Sequence, residues 1–257
     1  MDLHLRDKAF IVTGATSGLG QATALELAHN GALLVLNSRS QDALKATVRM
    51  LVDAGVAESN LVTIDGSIGT PEVATRLTAA ALEHFGRLDG ALISVGVPTG
   101  GIDSTISDEQ WLDAFSTVFL GMRRVARATA DAMTEAGSIA LVLSSTVHTP
   151  VAGIATSNGL RPGLAMLVKQ MSVEYGPRGI RVNSLLPGRF DTERVRFLDS
   201  QGGDPAGSRQ RAETGIPLGR YGHPGEFGAF AAFILSDRAS YLTGTSIDLD
   251  GGARPSM

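Results

Sequence analysis

Short uninterrupted apolar runs alternate along this chain with longer stretches whose apolar residues return every three or four positions. The runs are AFIVTG (9–14), ALLVLNS (32–38), NLVTID (60–65), GALISVG (90–96), SIALVLSS (138–145), IRVNSLLPG (180–188) and SIDLDGG (246–252). Strands that lack polar alternation are buried on both faces, the condition of a parallel sheet covered by helices. Helical periodicity fills the gaps near 18–29, 40–54, 71–86, 107–136, 162–176 and 223–236. This alternation predicts an α/β fold, a doubly wound parallel sheet of seven strands with right-handed crossovers. A chain of 257 residues can bury one such core, and nothing resembling a linker divides it, so one domain over 1–257 is expected. Only 188–222, rich in Gly, Pro, Arg and Asp, breaks the pattern. Its length and polarity predict either a substrate lid at about 189–221 or a poorly ordered loop.

Composition narrows the function classes. A formal net charge of −4 offers no basic footprint for nucleic acid. The absence of cysteine removes disulfides, zinc thiolates and thiol nucleophiles, and no metal site is expected. The first residues, MDLHLRDKAF, lack the apolar core of a signal peptide, and no apolar run approaches bilayer length. A cytoplasmic protein without membrane partners is the expectation.

Candidate chemistry begins where the first strand meets TGATSGLG (13–20). Gly14, Gly18 and Gly20, with Ser17 and Leu19 between them, open a helix. Glycines there permit a tight turn and close approach of backbone to a pyrophosphate, whose charge suits a helix N-terminus. The spacing differs from G-x-G-x-x-G, and an ordinary structural turn is the alternative. At the end of the second strand, where an acid would accept from a ribose 2′-OH, the chain reads Asn37-Ser38-Arg39-Ser40. Arg39 and Ser40 suit a 2′-phosphate and so favour NADP(H), with NAD(H) as the alternative coenzyme; a solvated residue at a helix start is the other reading of Arg39. Asp65, ending the third strand beside Gly66, would accept from an adenine amino group or cap the next turn.

These residues, together with LSS (143–145), GIRVNSLLPG (179–188), Thr192 and YLTGTSIDLDGG (241–252), resemble the short-chain dehydrogenase/reductases, most nearly the 3-oxoacyl-(acyl-carrier-protein) reductase-like group. The similarity runs over roughly 5–252. It implies a Rossmann-type fold, a homo-oligomer (tetramer or dimer), and hydride transfer between NAD(P)H and a carbonyl or alcohol. By the same resemblance Gly14, Gly18, Leu19, Gly20 and Gly96 hold the coenzyme. Pro187, Gly188 and Thr192 match the segment that holds the nicotinamide carboxamide.

The catalytic positions depart from the family. The family serine falls on Ser144 or, preferably, Ser145; its asparagine falls on Val118; its Tyr-x-x-x-Lys falls on Ser157 and Arg161. A serine hydroxyl is a far weaker acid than a phenol, whose reference pKa is about 10. Arg161 keeps a positive charge and could fork two donors to ribose hydroxyls, but it cannot shuttle a proton. Pro162 predicts a helix starting near Ser157–Gly159, with Ser157 or Asn158 as its cap, which gives Ser157 a structural reading beside the catalytic one. His148, three residues after Ser145, could supply the proton, as could bound water; a surface histidine is the alternative.

The loop Pro98–Ser107 and the excursion Arg189–Tyr221 are expected to flank the substrate. The arginines 189, 194, 196, 209, 211 and 220 would either attract an anionic substrate, such as an acyl thioester on phosphopantetheine, or pair with nearby acids. Phe190 and Phe197 would line a pocket or pack in the core. Trp111, Phe115, Val118 and Met122 form a stripe of core or oligomer-interface character. Two functions compete: an oxidoreductase with a non-standard proton donor, and a catalytically inactive coenzyme-binding sensor or partner module. Non-redox chemistry in the same pocket is a third.

Overall fold

The computed structural model describes residues 2–96, 100–200 and 203–255. Seven strands form one sheet: β1 Ala9–Thr13, β2 Leu33–Ser38, β3 Leu61–Asp65, β4 Gly90–Ile93, β5 Gly137–Val142, β6 Ile180–Pro187 and β7 Ser246–Leu249. Their order is β3-β2-β1-β4-β5-β6-β7, parallel throughout. β1 is the pivot, with Ile11 paired to Val35 on one side and Ala91 on the other. The order of the strands reverses there, the place where ligands bind in such sheets.

Helices cover both faces. α1 (Gly18–His29), α2 (Gln41–Asp53) and α9 (Pro224–Leu235) bury one core that includes Leu27, Leu44 and Phe227. On the opposite face α3 (Pro71–Phe85), α4 (Asp108–Ala114), α5 (Met122–Ala132) and α6 (Ala155–Tyr175) bury a second that includes Leu77, Val125 and Leu164. Each apolar side chain so buried contributes about 1.5–3 kcal/mol. The sheet is therefore sandwiched, as the unbroken apolar runs require.

Three local expectations are corrected. The 107–136 segment is not one regular helix. Ser107 and Gln110 close a capping box, α4 ends at Ala114, and Phe115–Gly121 forms a π-helix before α5. This wider turn runs against the loop after β3, where Ser116 Oγ and Arg124 Nη1 both donate to Gly69 O (3.3 and 2.9 Å). It also divides the apolar stripe. Val118 and Met122 are fully buried, whereas Phe115 is 39% exposed and stacks on Phe119.

The second correction concerns α6, which begins at Ala155 and carries Pro162 inside it. Neither Ser157 nor Asn158 is its cap. The first helical N–H, on Ala155, donates instead to Gly101 O (3.1 Å), a partner more than fifty residues away in sequence. Asn158 exchanges two hydrogen bonds with the backbone of Val151 (3.0 and 2.8 Å), which fixes the loop against the helix. Pro162 removes only the N–H that would have met the Asn158 carbonyl.

The third concerns only the alternative of a poorly ordered loop, because the excursion contains two helices, α7 (Glu193–Ser200) and α8 (Pro205–Thr214). Its base closes through Gly222 N to Arg189 O (2.9 Å) and Asp191 N to Gly222 O (2.8 Å). Most of its arginines are consumed by acids: Arg189 by Asp199, Arg196 and Arg209 by Asp191, Arg209 also by Glu213, and Arg220 by Glu226. At its centre the Tyr221 hydroxyl donates to Asp199 (3.1 Å), and the Arg209 guanidinium lies 4.6 Å from the Tyr221 ring centroid. Phe190 is buried against Phe227, while Phe197 is exposed. Pro98, expected near the site, lies outside the described residues.

Tyr221→Phe leaves the buried Asp199 carboxylate with Arg189 as its remaining donor. Urea unfolding should show a loss of about 1–2 kcal/mol. Amide exchange should quicken over 189–221 while the sheet core stays protected.

Candidate active site at the sheet's carboxyl edge

A cleft of about 860 Å³ opens at the carboxyl ends of β1, β4, β5 and β6. Gly14, Ser17, Gly18, Leu19 and Gly20 form one wall. The turn works because Gly14 (φ +62°) and Gly18 (φ +53°) occupy the left-handed region, and because Gly20 has no Cβ: an added one would lie 2.3 Å from Gly14 O. Ser17 sits at the N-cap of α1 without capping it through its side chain, so the helix terminus faces the cleft with its hydroxyl free of that bond. Behind this turn Thr13 Oγ1 donates to Ser94 O (2.6 Å) and accepts from Ser94 N (2.9 Å), tying β1 to the end of β4.

Arg39, Gly66 and Gly96 line the far end of the cleft, and Arg39 Nη2 lies 4.0 Å from where a Gly96 Cβ would stand. Among the described residues no carboxylate pairs with Arg39. Asn37, at the end of β2, spends its amide N–H groups on Ile64 O and Gly66 O (2.8 and 3.1 Å). The other two residues expected here face elsewhere. Ser40 caps α2 by accepting from Ala43 N, and Asp65 is held by Arg76 at 3.2 Å; neither lines the cleft.

Pro187, Gly188 and Thr192 line the opposite end, with Val142, Leu143 and Arg161. Arg161 is 6% exposed. Its Nη1 donates to Val142 O (2.9 Å), its Nε has no partner, and no carboxylate pairs with it among the described residues. Burial pulls its pKa down to about 10.

The remaining catalytic candidates do not line the cleft. Ser157 is buried on α6 and shares a hydrogen bond with Thr146 Oγ1 (3.3 Å). Ser144 accepts from Thr146 N, which leaves half-buried Ser145 as the serine not engaged in that cap. His148 turns its Nε2 toward Asp248 at 3.6 Å, and the same Asp248 oxygen is held by Arg254 at 2.6 Å. Val118 lines the cleft where it can offer only an apolar wall.

The sequence reading did not single out Ser94, Asp113 or Thr117, all of which line the cleft. Their only sequence signal was position, at a strand end and on the helix facing it. Arg194 also lines the cleft, over the Phe197 ring at 5.5 Å. No metal-holding group of His, Asp and Glu occurs among the described residues, and among them no helix is long and apolar enough to cross a membrane.

Residues 14–254 match the family model described as enoyl-(acyl carrier protein) reductase. The chain belongs to the short-chain dehydrogenase/reductase family. It is 34% identical to levodione reductase of Leifsonia aquatica, over 96% of this chain and 94% of that one. It is 31% identical to the 3-oxoacyl-[acyl-carrier-protein] reductase of Pseudomonas aeruginosa, over 97% and 98%. Among solved structures, L-sorbose reductase from Gluconobacter frateurii, complexed with NADPH and L-sorbose, superposes over the whole of both chains with a TM-score of 0.93 at 27% identity. The seven-stranded Rossmann-type sheet is thus that of this family of oxidoreductases.

Two stability measurements probe the site. Gly20→Ala should cost about 1–3 kcal/mol, because its Cβ meets backbone that cannot yield. Arg161→Met should raise the thermal midpoint of the ligand-free protein by a few degrees, a gain of about 1 kcal/mol or more, since an unpaired buried charge opposes folding. The sign follows from the depressed pKa. The cost is present in full below pH 10 and is relieved as the pH rises from there toward the ordinary guanidinium range.

Proposed function

We propose that the protein is an NADP(H)-dependent oxidoreductase that transfers hydride between the nicotinamide and a small carbonyl or alcohol substrate. The observation that carries the coenzyme choice is Arg39, a cation unpaired by any described carboxylate at the end of the cleft where β2 stops. A ribose 2′-OH calls for an acid there; a 2′-phosphate calls for this guanidinium. The glycine turn, with Gly20 pressed on Gly14 O, leaves room for a pyrophosphate at the α1 terminus. Gly66 and Gly96 keep the adenine end open, and Pro187, Gly188 and Thr192 face the nicotinamide carboxamide. Ser40 and Asp65 take no part, because each is already engaged within the fold.

Held by the glycine turn, Arg39 and the Pro187–Thr192 segment, the reduced coenzyme would supply hydride to a carbonyl carbon, leaving negative charge to develop on its oxygen. Ser145, half-buried two residues beyond the cleft-lining Leu143 and free of the cap that engages Ser144, turns into the cleft to polarise that oxygen, Arg161 supplies positive charge as negative charge develops, and water delivers the proton. Ser157 is the wrong acid and is turned to Thr146; His148 is turned to Asp248. The same facts support the second reading, a coenzyme-binding protein without turnover, because the hydroxyl in the tyrosine position has no path to the cleft. Leu112, Phe115, Met166 and Val173, exposed on α4, the π-helix and α6, support a homo-oligomer.

Titrating NADPH and NADH by fluorescence and then offering ketones, 3-oxo thioesters and alcohols tests the proposal. We expect NADPH to bind more tightly than NADH and to be oxidised by at least one ketone. Binding of neither coenzyme would overturn both readings, and tight NADPH binding with no turnover would leave the second. Arg39→Ser should weaken NADPH by about 10–100-fold, equivalent to about 1.4–2.7 kcal/mol, with little change for NADH.

A further inference from the structure

The charged groups that line the cleft are of two kinds. Arg39, Arg161 and Arg194 carry guanidinium groups, which keep their protons at neutral pH. Asp113 and Glu193 are carboxylates, which accept hydrogen bonds when ionised and donate none. Among the described residues no histidine, tyrosine or lysine lines the cleft, and the residues outside them are of other types. The side chains best suited to general acid work are held elsewhere. His148 faces Asp248, His223 accepts from Gly225 N at the start of α9, and the Tyr221 hydroxyl donates to Asp199. Tyr175 is buried at the end of α6, and Tyr241 is fully exposed. Wherever in the cleft a carbonyl meets the nicotinamide, its oxygen finds hydroxyl groups and water but no general acid.

From this we propose that the protein reduces carbonyls made electron-poor by a neighbouring group, above all 1,2-diketones, and turns over simple ketones poorly. A positioned general acid is worth about 10²–10⁴-fold at such a step. Water, with a pKa of about 16, is no stronger an acid than the alcohol that a simple ketone yields, so it gives the transition state little help. A hydroxyl such as Ser145 polarises the oxygen through a hydrogen bond but holds its proton. A second carbonyl alongside withdraws the charge that develops on that oxygen and yields a more acidic alcohol, so the need for a donor falls. Hydride passes from NADPH to one carbonyl carbon, the π pair moves to its oxygen, and water protonates it. The products are a hydroxy ketone, NADP⁺ and hydroxide. Solvent reaches the cleft, since Arg39, Glu193 and Arg194 stand exposed along its lining.

This substrate class rests on the NADP(H) reading, and its test separates the two. Wild-type protein is first titrated with NADPH by fluorescence; no binding removes the coenzyme reading and the inference with it. At saturating NADPH, kcat/KM is then compared for 2,3-butanedione against butanone, and for 1-phenyl-1,2-propanedione against phenylacetone. Each dione is expected to be at least about a hundredfold better than its matched ketone. A smaller ratio, or no turnover of either dione, would overturn the proposal while the coenzyme reading stands. With the dione, kcat should stay level from about pH 6 to 9, because no donor titrates in the cleft. A sloping limb in that range would reveal a donor in the chain and overturn the proposal as well. Ser157→Tyr puts a phenol where the resemblance to the family places one. It should narrow the ratio about tenfold or more by speeding the simple ketone. An unchanged ratio in that variant counts against the proposal, and the wild-type comparison decides the question if the variant fails to fold.

Discussion

Everything in this molecule hangs on the reversal of strand order between β1 and β4. The chain leaves β1 for one face of the sheet through α1, and leaves β4 for the other face through α4 and α5. Two parallel neighbours whose connections diverge cannot close over their own carboxyl ends, so a crevice must remain there. The Thr13–Ser94 hydrogen bonds hold its floor together, and the contact of Gly20 with Gly14 O draws the α1 terminus up to its edge. The crevice follows from topology; its chemistry depends on which side chains stand around it.

Those side chains are unevenly provided with partners. Arginines of the excursion are largely neutralised by acids of the excursion itself, which ties α7 and α8 to its base at Arg189–Asp191 instead of offering a basic surface. Three arginines that reach the cleft, Arg39, Arg161 and Arg194, meet no carboxylate among the described residues. Their isolation has different costs. Arg39 and Arg194 are exposed, whereas Arg161 is buried, so the cost of an unpaired charge falls chiefly on Arg161. Ser157 and Arg161 stand buried where the resemblance to the family places a tyrosine and a lysine, a hydroxyl without a phenol's acidity and a guanidinium in place of an ammonium.

The sheet was legible because β-strands buried on both faces leave an unmistakable trace, and each apolar run lies within a few residues of an observed strand. The glycine turn was equally legible, since positive φ at Gly14 and Gly18 and the missing Cβ at Gly20 are demands on residue type. Arg39 could be singled out as an absence of acid where acid is usual. Ser40 and Asp65 could not be separated from it, because a cap on Ala43 N and an ion pair to Arg76 are satisfied by the same residue types that would serve a coenzyme. The start of α6 was misjudged for a related reason. Local capping rules point to Ser157 or Asn158, but the donor that needed a partner found Gly101 O across the fold.

Sequence by itself determined the alternation of strand and helix and the glycine turn, and it put serine and arginine at 157 and 161, where the resemblance implies tyrosine and lysine, because each is a property of residue type and spacing. Tertiary structure alone decided where the changed groups point: Ser157 into Thr146, His148 onto Asp248, and Arg161 into the cleft wall without a counter-ion. Partner choice is a matter of distance through space, and burial sets what an unmet charge costs; neither is written in the order of residues along a chain.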